Sequence, residues 1–345
     1  MDESMPPRPP RRKRYAGNNP RRFEDKYKEH DPARHEETVA KVLASRKTPA
    51  GMHVPIMTGE CMGALALEPG QRGVDATLGY GGHALEILGR ITPGGHLVGL
   101  DVDPIEQPKT AERLAALGYG PEAFQALRSN YAGIRKVLDG LQWDDVDFVF
   151  ADLGCSSMQV DDPTRGFTFK TDGPLDMRMN PQRGIPASEW LAKAKAPALA
   201  EVLRDHSDEP RAEEIATALV GRDFTGTLAL AKAVRSVPSV AKLDEERIDL
   251  TVRRVFQAVR IAVNEEFTAL DAFLRVLPLC LKPGGRAAIL TFHSGEDRRV
   301  KKAFQAGLRD GLYSAASDGV IVAGPDERRA NPRSIPAKLR WAIRA

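Results

Sequence analysis

Short apolar runs alternate with amphipathic segments over the first half of the chain. Runs typical of β-strands lie at residues 73–77, 96–100, 124–127 and 146–151. Between them, the spacing of apolar residues predicts helices at residues 58–67, with Thr58 as N-cap, and at residues 83–90. Asp103 and Pro104 are typical of the N-cap and first residue of a further helix. Strands that alternate with helices in this way predict a mostly parallel sheet with helices on both faces.

The alternation stops after residue 152 and resumes near residue 251. Residues 160–185 show no period, and residues 186–250 contain short helical patterns. Four residues separate these patterns: Pro197, Pro210, Gly226 and Pro238. A long amphipathic helix is predicted at residues 251–281, a turn at residues 282–285, and a fifth strand at residues 286–292. We therefore predict one Rossmann-like α/β domain, residues 52–159 and 251–345, into which a helical substrate-recognition subdomain, residues 160–250, is inserted.

The N-terminal segment, residues 1–51, differs from the rest in charge. Its first 50 residues hold 13 Lys and Arg against 8 Asp and Glu, which gives them a net charge of +5. The whole chain carries +3, so the remainder is slightly acidic. Such a Pro- and Arg-rich segment lacks the apolar residues for a core, and we expect it to be disordered. It is either a contact for RNA phosphates or a solvated tail.

Cysteine usage and hydropathy limit the class of protein. Cys61, Cys155 and Cys280 have neither metal-ligand spacing nor the even number of a disulfide framework. No apolar run approaches the roughly 20 residues that a bilayer span requires. We therefore expect a cytoplasmic protein that holds no metal and has no membrane partner.

Polar clusters follow the predicted strands, at residues 75–83, 101–103, 152–159 and 293–297. The carboxyl ends of parallel strands share one edge of the sheet, where ligands bind in such folds. Gly79 and Gly81 allow the backbone to approach a ligand closely. Asp101 ends the next strand, where its carboxylate is placed to accept hydrogen bonds from both hydroxyls of a ribose. This pattern predicts a cofactor that contains adenosine.

Two cofactors fit such a half-site. A dinucleotide requires a pyrophosphate at the glycine turn, and Asp75 would repel it. The ammonium group of S-adenosylmethionine would instead be attracted by Asp75, so the residues favour methyl transfer. A nicotinamide-dependent dehydrogenase stays open as an alternative, although we find no convincing acid–base set for hydride transfer.

Longer motifs give a more specific signal. They are His53-Val-Pro-Ile-Met, Gly79-Tyr-Gly-Gly-His, Asp101-Val-Asp-Pro, Asp152-Leu-Gly-Cys-Ser-Ser-Met-Gln-Val-Asp-Asp, Arg165-Gly-Phe-Thr-Phe, Asp172-Gly-Pro-Leu-Asp-Met-Arg-Met, Arg254-Val-Phe-Gln-Ala-Val-Arg-Ile-Ala-Val-Asn, Phe292-His-Ser-Gly-Glu-Asp-Arg and Asn331-Pro-Arg. With these motifs in this order, residues 53 to about 345 resemble the bacterial small-subunit rRNA cytosine-N4 methyltransferases, the RsmH or MraW family. Cys155, Met158, Gly295 and Ile335-Pro336 depart from the family's usual residues.

The resemblance implies a class I methyltransferase fold, S-adenosylmethionine as methyl donor, and the small ribosomal subunit as partner. The implied acceptor is the exocyclic N4 of a decoding-centre (P-site) cytosine in 16S rRNA. The residues that the family motifs place at the cofactor are Gly81, Gly82, His83, Asp101, Tyr131, Asp152 and Gln159. Asp152 is the first catalytic candidate, as acceptor for an N–H of the cytosine. Weaker candidates are Ser156, Ser157 and His293.

Residues 161–179 are expected to form either a lid or a structural loop. Five arginines are candidate phosphate contacts: Arg165, Arg178, Arg183, Arg253 and Arg254. Two alternatives to the implied function remain. One is a methyltransferase of the same fold that acts on another RNA or DNA cytosine, and the other is a non-catalytic ribosome-assembly factor.

Overall fold

The computed structural model describes residues 55–345, and a β-sheet lies at its centre. Five strands pair in parallel: β1 (Arg72–Asp75), β2 (His96–Asp101), β3 (Phe124–Arg128), β4 (Val146–Asp152) and β5 (Leu281–Thr291). Three more pair antiparallel: β6 (Tyr313–Ala316), β7 (Ile321–Val322) and β8 (Lys338–Arg344). The order is β3-β2-β1-β4-β5-β8-β6, and β7 also pairs with β8. This sheet confirms the predicted mostly parallel α/β fold.

Helices cover both faces of the sheet. In chain order they are α1 (Thr58–Leu65), α2 (Gly82–Ile91), α3 (Glu106–Ala116), α4 (Ile134–Gly140), α5 (Ser157–Asp161), α6 (Ala187–Lys193), α7 (Ala196–Ser207), α8 (Ala212–Leu219), α9 (Thr227–Arg235), α10 (Glu245–Val263), α11 (Glu266–Cys280), α12 (Ser294–Arg309) and α13 (Pro325–Ala330). Alternate residues of β4 enter different cores. Phe148 and Phe150 pack on one side, and Val149 and Ala151 on the other. A strand buried on both faces is typical of parallel sheets.

A third hydrophobic core belongs to the helical insertion that follows β4. Its buried members run from Leu175 to Val259 and join α6 to α10. Pro197 lies in the first turn of α7, which begins at Ala196, because proline is tolerated there; it does not lie between two helices. The insertion is thus present, while its bounds at residues 160 and 250 stay a prediction. The predicted basic tail, residues 1–51, lies outside the described residues.

The predicted long helix at residues 251–281 is wrong. Two helices replace it, because the chain leaves helical geometry at Asn264 and Glu265, whose φ is 51°. The Asn264 side chain accepts from the N–H of Met179 at 2.7 Å and donates to the carbonyl oxygen of Met177 at 2.8 Å. These contacts hold the break against the segment after β4.

Two further bounds differ from the prediction. Residues 282–285 continue β5 instead of forming a turn, and Gly284 absorbs a φ of 78° where the register against β4 shifts. The first helix begins at Thr58 itself, after Met57, so Thr58 is not its N-cap. None of the helices between residues 55 and 345 is long and apolar enough to cross a membrane.

Candidate functional site

The glycine turn joins the end of β1 to the start of α2. Gly79 and Gly81 have φ values of 47° and 82°, which a side chain would disfavour. A Cβ on Gly81 would also lie 2.7 Å from Cγ2 of Thr110, and one on Gly82 would lie 3.2 Å from Pro55. The turn therefore keeps its backbone close to its neighbours and open toward the strand ends.

Asp101 closes the turn from β2. Its Oδ2 accepts from the N–H of Gly79 and its Oδ1 from the N–H of Asp103, both at 2.8 Å. The helix α3 begins at Glu106, so the prediction that it begins at Pro104 is wrong. Asp103 still accepts from the backbone as a cap does: its Oδ1 accepts from the N–H of Ile105 at 2.9 Å and from that of Glu106 at 3.4 Å. Asp101 is thus fixed in place by backbone donors.

His83 links the glycine turn to the end of β4. Its Nε2 lies 2.9 Å from the carbonyl oxygen of Ile56. A carbonyl only accepts, so this nitrogen carries the hydrogen. Its Nδ1 lies 3.5 Å from Oδ2 of Asp152. The structure thus brings Gly81, Gly82 and His83 to the same rim as Asp152.

Three carboxyl groups on this rim are hard to ionise. Burial raises the pKa of Asp75 to about 7, and the nearby Asp101 adds to the shift. Burial also raises the pKa of Asp101 to about 6. For Asp152, burial first and then Asp75 and Glu296 raise the pKa to about 8. An acidic crevice of this kind stabilises a cationic ligand, because a positive charge favours ionised carboxylates.

Ser156 and Gln159 cap the short helix α5. The N–H of Ser156 donates to Oε1 of Gln159 at 3.0 Å, and the hydroxyl of Ser156 accepts from the N–H of Gln159 at 3.3 Å. Nε2 of Gln159 donates to Oδ2 of Asp103 at 2.9 Å. Gln159 therefore holds the loop after β4 to the loop after β2, while Ser157 begins α5.

Tyr131 contacts α11, and His293 caps α12. The Tyr131 hydroxyl donates to the carbonyl oxygen of Glu266 at 3.3 Å, and its ring packs edge-on against Phe273. His293 caps α12: its Nδ1 accepts from the N–H of Glu296 at 3.3 Å, and its Nε2 lies 3.2 Å from Oε1 of Glu296. Both side chains have structural roles here, and their predicted functional roles stay predictions.

A buried arginine that the sequence reasoning missed supports the loop after β4. Arg260 donates to both carboxylate oxygens of Glu266, at 2.8 and 3.0 Å, and to Sγ of Cys155 at 3.2 Å. Burial would lower the pKa of Arg260, but Glu266 and Cys155 raise it overall. Arg260 lies within the motif that begins at Arg254, but that motif ends before Glu266 and so does not indicate the ion pair.

The candidate phosphate contacts have different surroundings. Arg165 is buried against Asp103, so its assignment to phosphate is wrong. Arg178 is paired with Asp176 at 2.7 Å, and Arg254 lies 3.7 Å from Glu209. The side chains of Arg183 and Arg253 are exposed. These two remain candidates for binding a polyanion.

A cleft of about 520 Å³ lies beside Val102, next to the Asp101 turn. Its other walls come from the loop after β3, the segment 178–190 and the junction of α10 with α11. Basic, amide and aromatic side chains dominate its lining: Arg128, Asn130, Arg178, Asn180, Gln182, Arg183, Trp190 and Asn264. Glu265 is the acidic residue among the lining residues. Such a lining suits a polar ligand with negative charge and planar groups. The segment 161–179 on its border is anchored, because Leu175 and Met177 are buried in the insertion core, and this packing favours the structural loop over the lid.

Comparison with known proteins agrees with the motifs. The model of the MraW methylase family matches residues 50–345. The chain is 48% identical to ribosomal RNA small subunit methyltransferase H 1 of Lachnoclostridium phytofermentans, over 99% of this chain and 95% of the relative. It is 46% identical to methyltransferase H 2 of Alkaliphilus metalliredigens, over 97% of each protein. It is 44% identical to methyltransferase H 1 of Agathobacter rectalis, again over 97% of each. The chain therefore belongs to the MraW methylase family.

Proposed function

We propose that this protein transfers a methyl group from S-adenosylmethionine to the exocyclic N4 of a decoding-centre cytosine in 16S rRNA. The observation that carries the proposal is the nearly full-length identity with small-subunit rRNA methyltransferases H. The ribosome as substrate also makes the cytoplasm the place of action, in keeping with the three free cysteines.

The chemistry of the crevice fits this donor. S-adenosylmethionine supplies an electrophilic methyl group on a positively charged sulfur, and it also carries an ammonium group and a ribose. Asp101 would hold the ribose hydroxyls, because a carboxylate has about four acceptor sites and the N–H groups of Gly79 and Asp103 occupy two of them. The acidic ends of β1 and β4, Asp75 and Asp152, would stabilise the cationic part. The backbone of Gly81 and Gly82, with His83, Tyr131 and Gln159, would complete the site.

Asp152 is the proposed acceptor for an N–H of the target cytosine. The amino nitrogen is a weak nucleophile because its lone pair is delocalised into the ring, and a hydrogen bond to a carboxylate would localise that pair. A positive charge in the crevice favours the ionised form of Asp152, whose pKa is about 8 without it. Positioning of the two reactants supplies most of the acceleration.

Ser156, Ser157 and His293 rank below Asp152. The hydroxyl oxygen of Ser156 accepts within a capping box, and His293 caps α12. The lack of a Pro-Pro-aromatic sequence after Asp152 distinguishes this site from many amino-methyltransferases, because Leu153 and Gly154 follow instead.

The target base must leave its stack to reach the donor, so exposed or partly assembled rRNA is the expected substrate. The cleft beside Val102 and the exposed Arg183 and Arg253 are the proposed contacts for RNA flanking that base. Their affinity is expected to fall as salt rises, because phosphate contacts release counterions.

The direct test uses the full-length protein, methyl-labelled S-adenosylmethionine, and small subunits from a strain that lacks the gene. Digestion to nucleosides followed by mass spectrometry is expected to show N4-methylcytidine, and fragment mapping is expected to place it in the decoding centre.

Asp152→Ala is expected to bind donor within about a few-fold of wild type and to lose methyl transfer. Label at another cytosine would favour the alternative substrate. RNA binding without label would favour an assembly factor, and NAD binding in place of the donor would favour a dehydrogenase.

A further inference from the structure

Arg165 joins two parts of the chain that are far apart in sequence. It ends a 3₁₀ turn, Pro163–Arg165, and is almost fully buried. Its Nη1 donates to Oδ2 of Asp103 at 2.8 Å. Its Nη2 donates to the carbonyl oxygens of Arg178, at 3.2 Å, and Met179, at 2.9 Å. One guanidinium therefore holds the loop after β2 against the far end of the segment 160–180.

Asp103 is the point where three loops meet. Its Oδ2 accepts from both Arg165 and Gln159, and its Oδ1 accepts from the backbone at the start of α3. Its own N–H donates to Asp101, the proposed ribose ligand. A change at Asp101 on donor binding would therefore act on Asp103 through this hydrogen bond.

The network continues beyond Met179. The N–H of Met179 donates to Asn264 at the break between α10 and α11, and the backbone N–H of Met177 donates to the carbonyl oxygen of Arg165 at 3.0 Å. Met179 and Asn264 line the cleft proposed to bind RNA. Hydrogen bonds thus run without a gap from the glycine turn to that cleft.

We infer that Arg165 is a positioning residue that couples occupancy of the donor crevice to the arrangement of residues 160–180, and through them to RNA affinity. The inference rests on the proposed function, because it takes Asp101 as a donor contact. Its physical basis is a contiguous set of hydrogen bonds that both sites share. Arginine suits this role because its planar fork bonds to a carboxylate and to two carbonyls at once.

The test measures hydrogen–deuterium exchange of the full-length protein with and without S-adenosylhomocysteine, the reaction product, in the absence of RNA. In the wild type we expect amides of residues 160–180 to exchange roughly fivefold more slowly when the product is bound, a factor within the usual range of coupling between sites. In Arg165→Lys, the ammonium keeps the charge beside Asp103 but cannot reach both carbonyls as well, so the added protection should vanish. Lys170→Ala, an exposed change in the same segment, should keep it.

Kinetics provide a second readout that a general loss of stability would not give. Arg165→Lys is expected to raise the KM for small subunits by about tenfold, while the Kd for S-adenosylhomocysteine changes by less than about threefold. The double variant Asp103→Asn with Arg165→Gln replaces the ion pair by a neutral hydrogen bond, but one glutamine amide is too short to bond as well to the carbonyl oxygens of Arg178 and Met179. It should therefore also lose the donor-induced protection, and it serves as the test if Arg165→Lys fails to fold.

Equal protection in Arg165→Lys and wild type, with equal KM for small subunits, would overturn the coupling. So would a wild type that binds S-adenosylhomocysteine with no change in residues 160–180. Failure of the wild type to bind S-adenosylhomocysteine in calorimetry would instead reject the donor assignment of the proposed function. The two failures are therefore distinguished by one binding measurement.

Discussion

Asp75, Asp101 and Asp152 retain protons in the folded protein at pH values where the unfolded chain releases them. Burial raises their pKa values to about 7, 6 and 8, respectively, from ordinary values near 4. Between the unfolded and the folded pKa, the folded state therefore binds more protons than the unfolded state. By linkage, this contribution to the free energy of unfolding falls as the pH rises through that interval.

Asp152→Asn is expected to weaken the pH dependence of stability in the donor-free protein. Each such carboxyl lowers the free energy of unfolding by up to about 1.4 kcal/mol per pH unit between about pH 4 and its folded pKa. The neutral amide removes the contribution of Asp152, so the decline from about pH 4 to about pH 8 becomes shallower. Urea denaturation at several pH values measures this. Asp326→Asn, at a highly exposed carboxyl, serves as control, and parallel profiles for wild type and Asp152→Asn would contradict the expectation.

Asp101→Ala is expected to weaken donor binding by about tenfold to a hundredfold, since a hydrogen bond to a charged group contributes about 1.5–3 kcal/mol. Isothermal calorimetry with S-adenosylhomocysteine measures the change. Asp152→Ala is the matched comparison, because it should affect turnover far more than affinity. Equal affinities for Asp101→Ala and wild type would remove the ribose assignment.

The sequence predicted the positions of Asp101 and Asp152 because each one ends a run of apolar residues, and parallel strands bring such ends together. It did not predict which buried charges pair. Asp103 and Arg165 are 62 residues apart, and Arg260 reaches Glu266 across a helix break. Such pairs depend on how loops pack, which hydrophobic periodicity does not encode. The sequence therefore predicted Arg165 as a phosphate contact, although its guanidinium is buried and bonds to Asp103 and to two backbone carbonyls.

At the level of elements, the apolar pattern predicted the first half of the chain better than the second. The strands β1 to β4 lie within two residues of their predicted bounds, because their apolar runs are bounded by polar or glycine residues. The pattern continues across Asn264 and so hides the break between α10 and α11. Strands β6 and β7 span four and two residues, too few for an alternation to show.

The glycine turn offers a test at the same level. Gly81→Ala places a Cβ at 2.7 Å from Thr110, whose hydroxyl is held by the carbonyl oxygen of Gly79 at 2.6 Å. Gly118→Ala is the matched control, because Gly118 has a similar φ of 92° with no atom within 4 Å of the added Cβ. The left-handed backbone alone costs about 1–2 kcal/mol. The overlap at Gly81 is expected to add about 1–3 kcal/mol.

Thermal and urea denaturation of both variants measure this difference, and calorimetry follows donor affinity. We expect Gly81→Ala to lose affinity as well as stability, since the turn borders the proposed donor site, and Gly118→Ala to lose only stability. Equal losses of stability in the two variants would show that the Thr110 side chain moves away from the added Cβ without lowering the free energy of unfolding. The contact with Thr110 would then not require glycine at position 81.

For the whole molecule, two sets of polar contacts join α7 and α10, helices of the insertion core, to α11, α12 and the loop after β4. On one side Arg260 of α10 is buried against Glu266 and Cys155. On the other, Asp208 after α7 accepts from the Ser294 hydroxyl at 2.6 Å and from Arg298 at 2.9 Å. The first attachment supports the loop that carries Ser156 and Gln159, whereas the second is exposed. The two attachments therefore differ in how much stability they provide.

Arg260→Ala is expected to destabilise the protein by about 3–5 kcal/mol, because it leaves the buried Glu266 without its partner. Arg298→Ala removes an exposed pair and should cost about 0–1 kcal/mol. The double variant Arg260→Met with Glu266→Leu removes both buried charges, and its stability should lie closer to that of the wild type, since apolar side chains can replace a buried pair. If the double variant regains stability yet stays inactive, Arg260 is needed to position the loop after β4. If Arg260→Ala and Arg298→Ala lose the same stability, the insertion is not held by the buried pair.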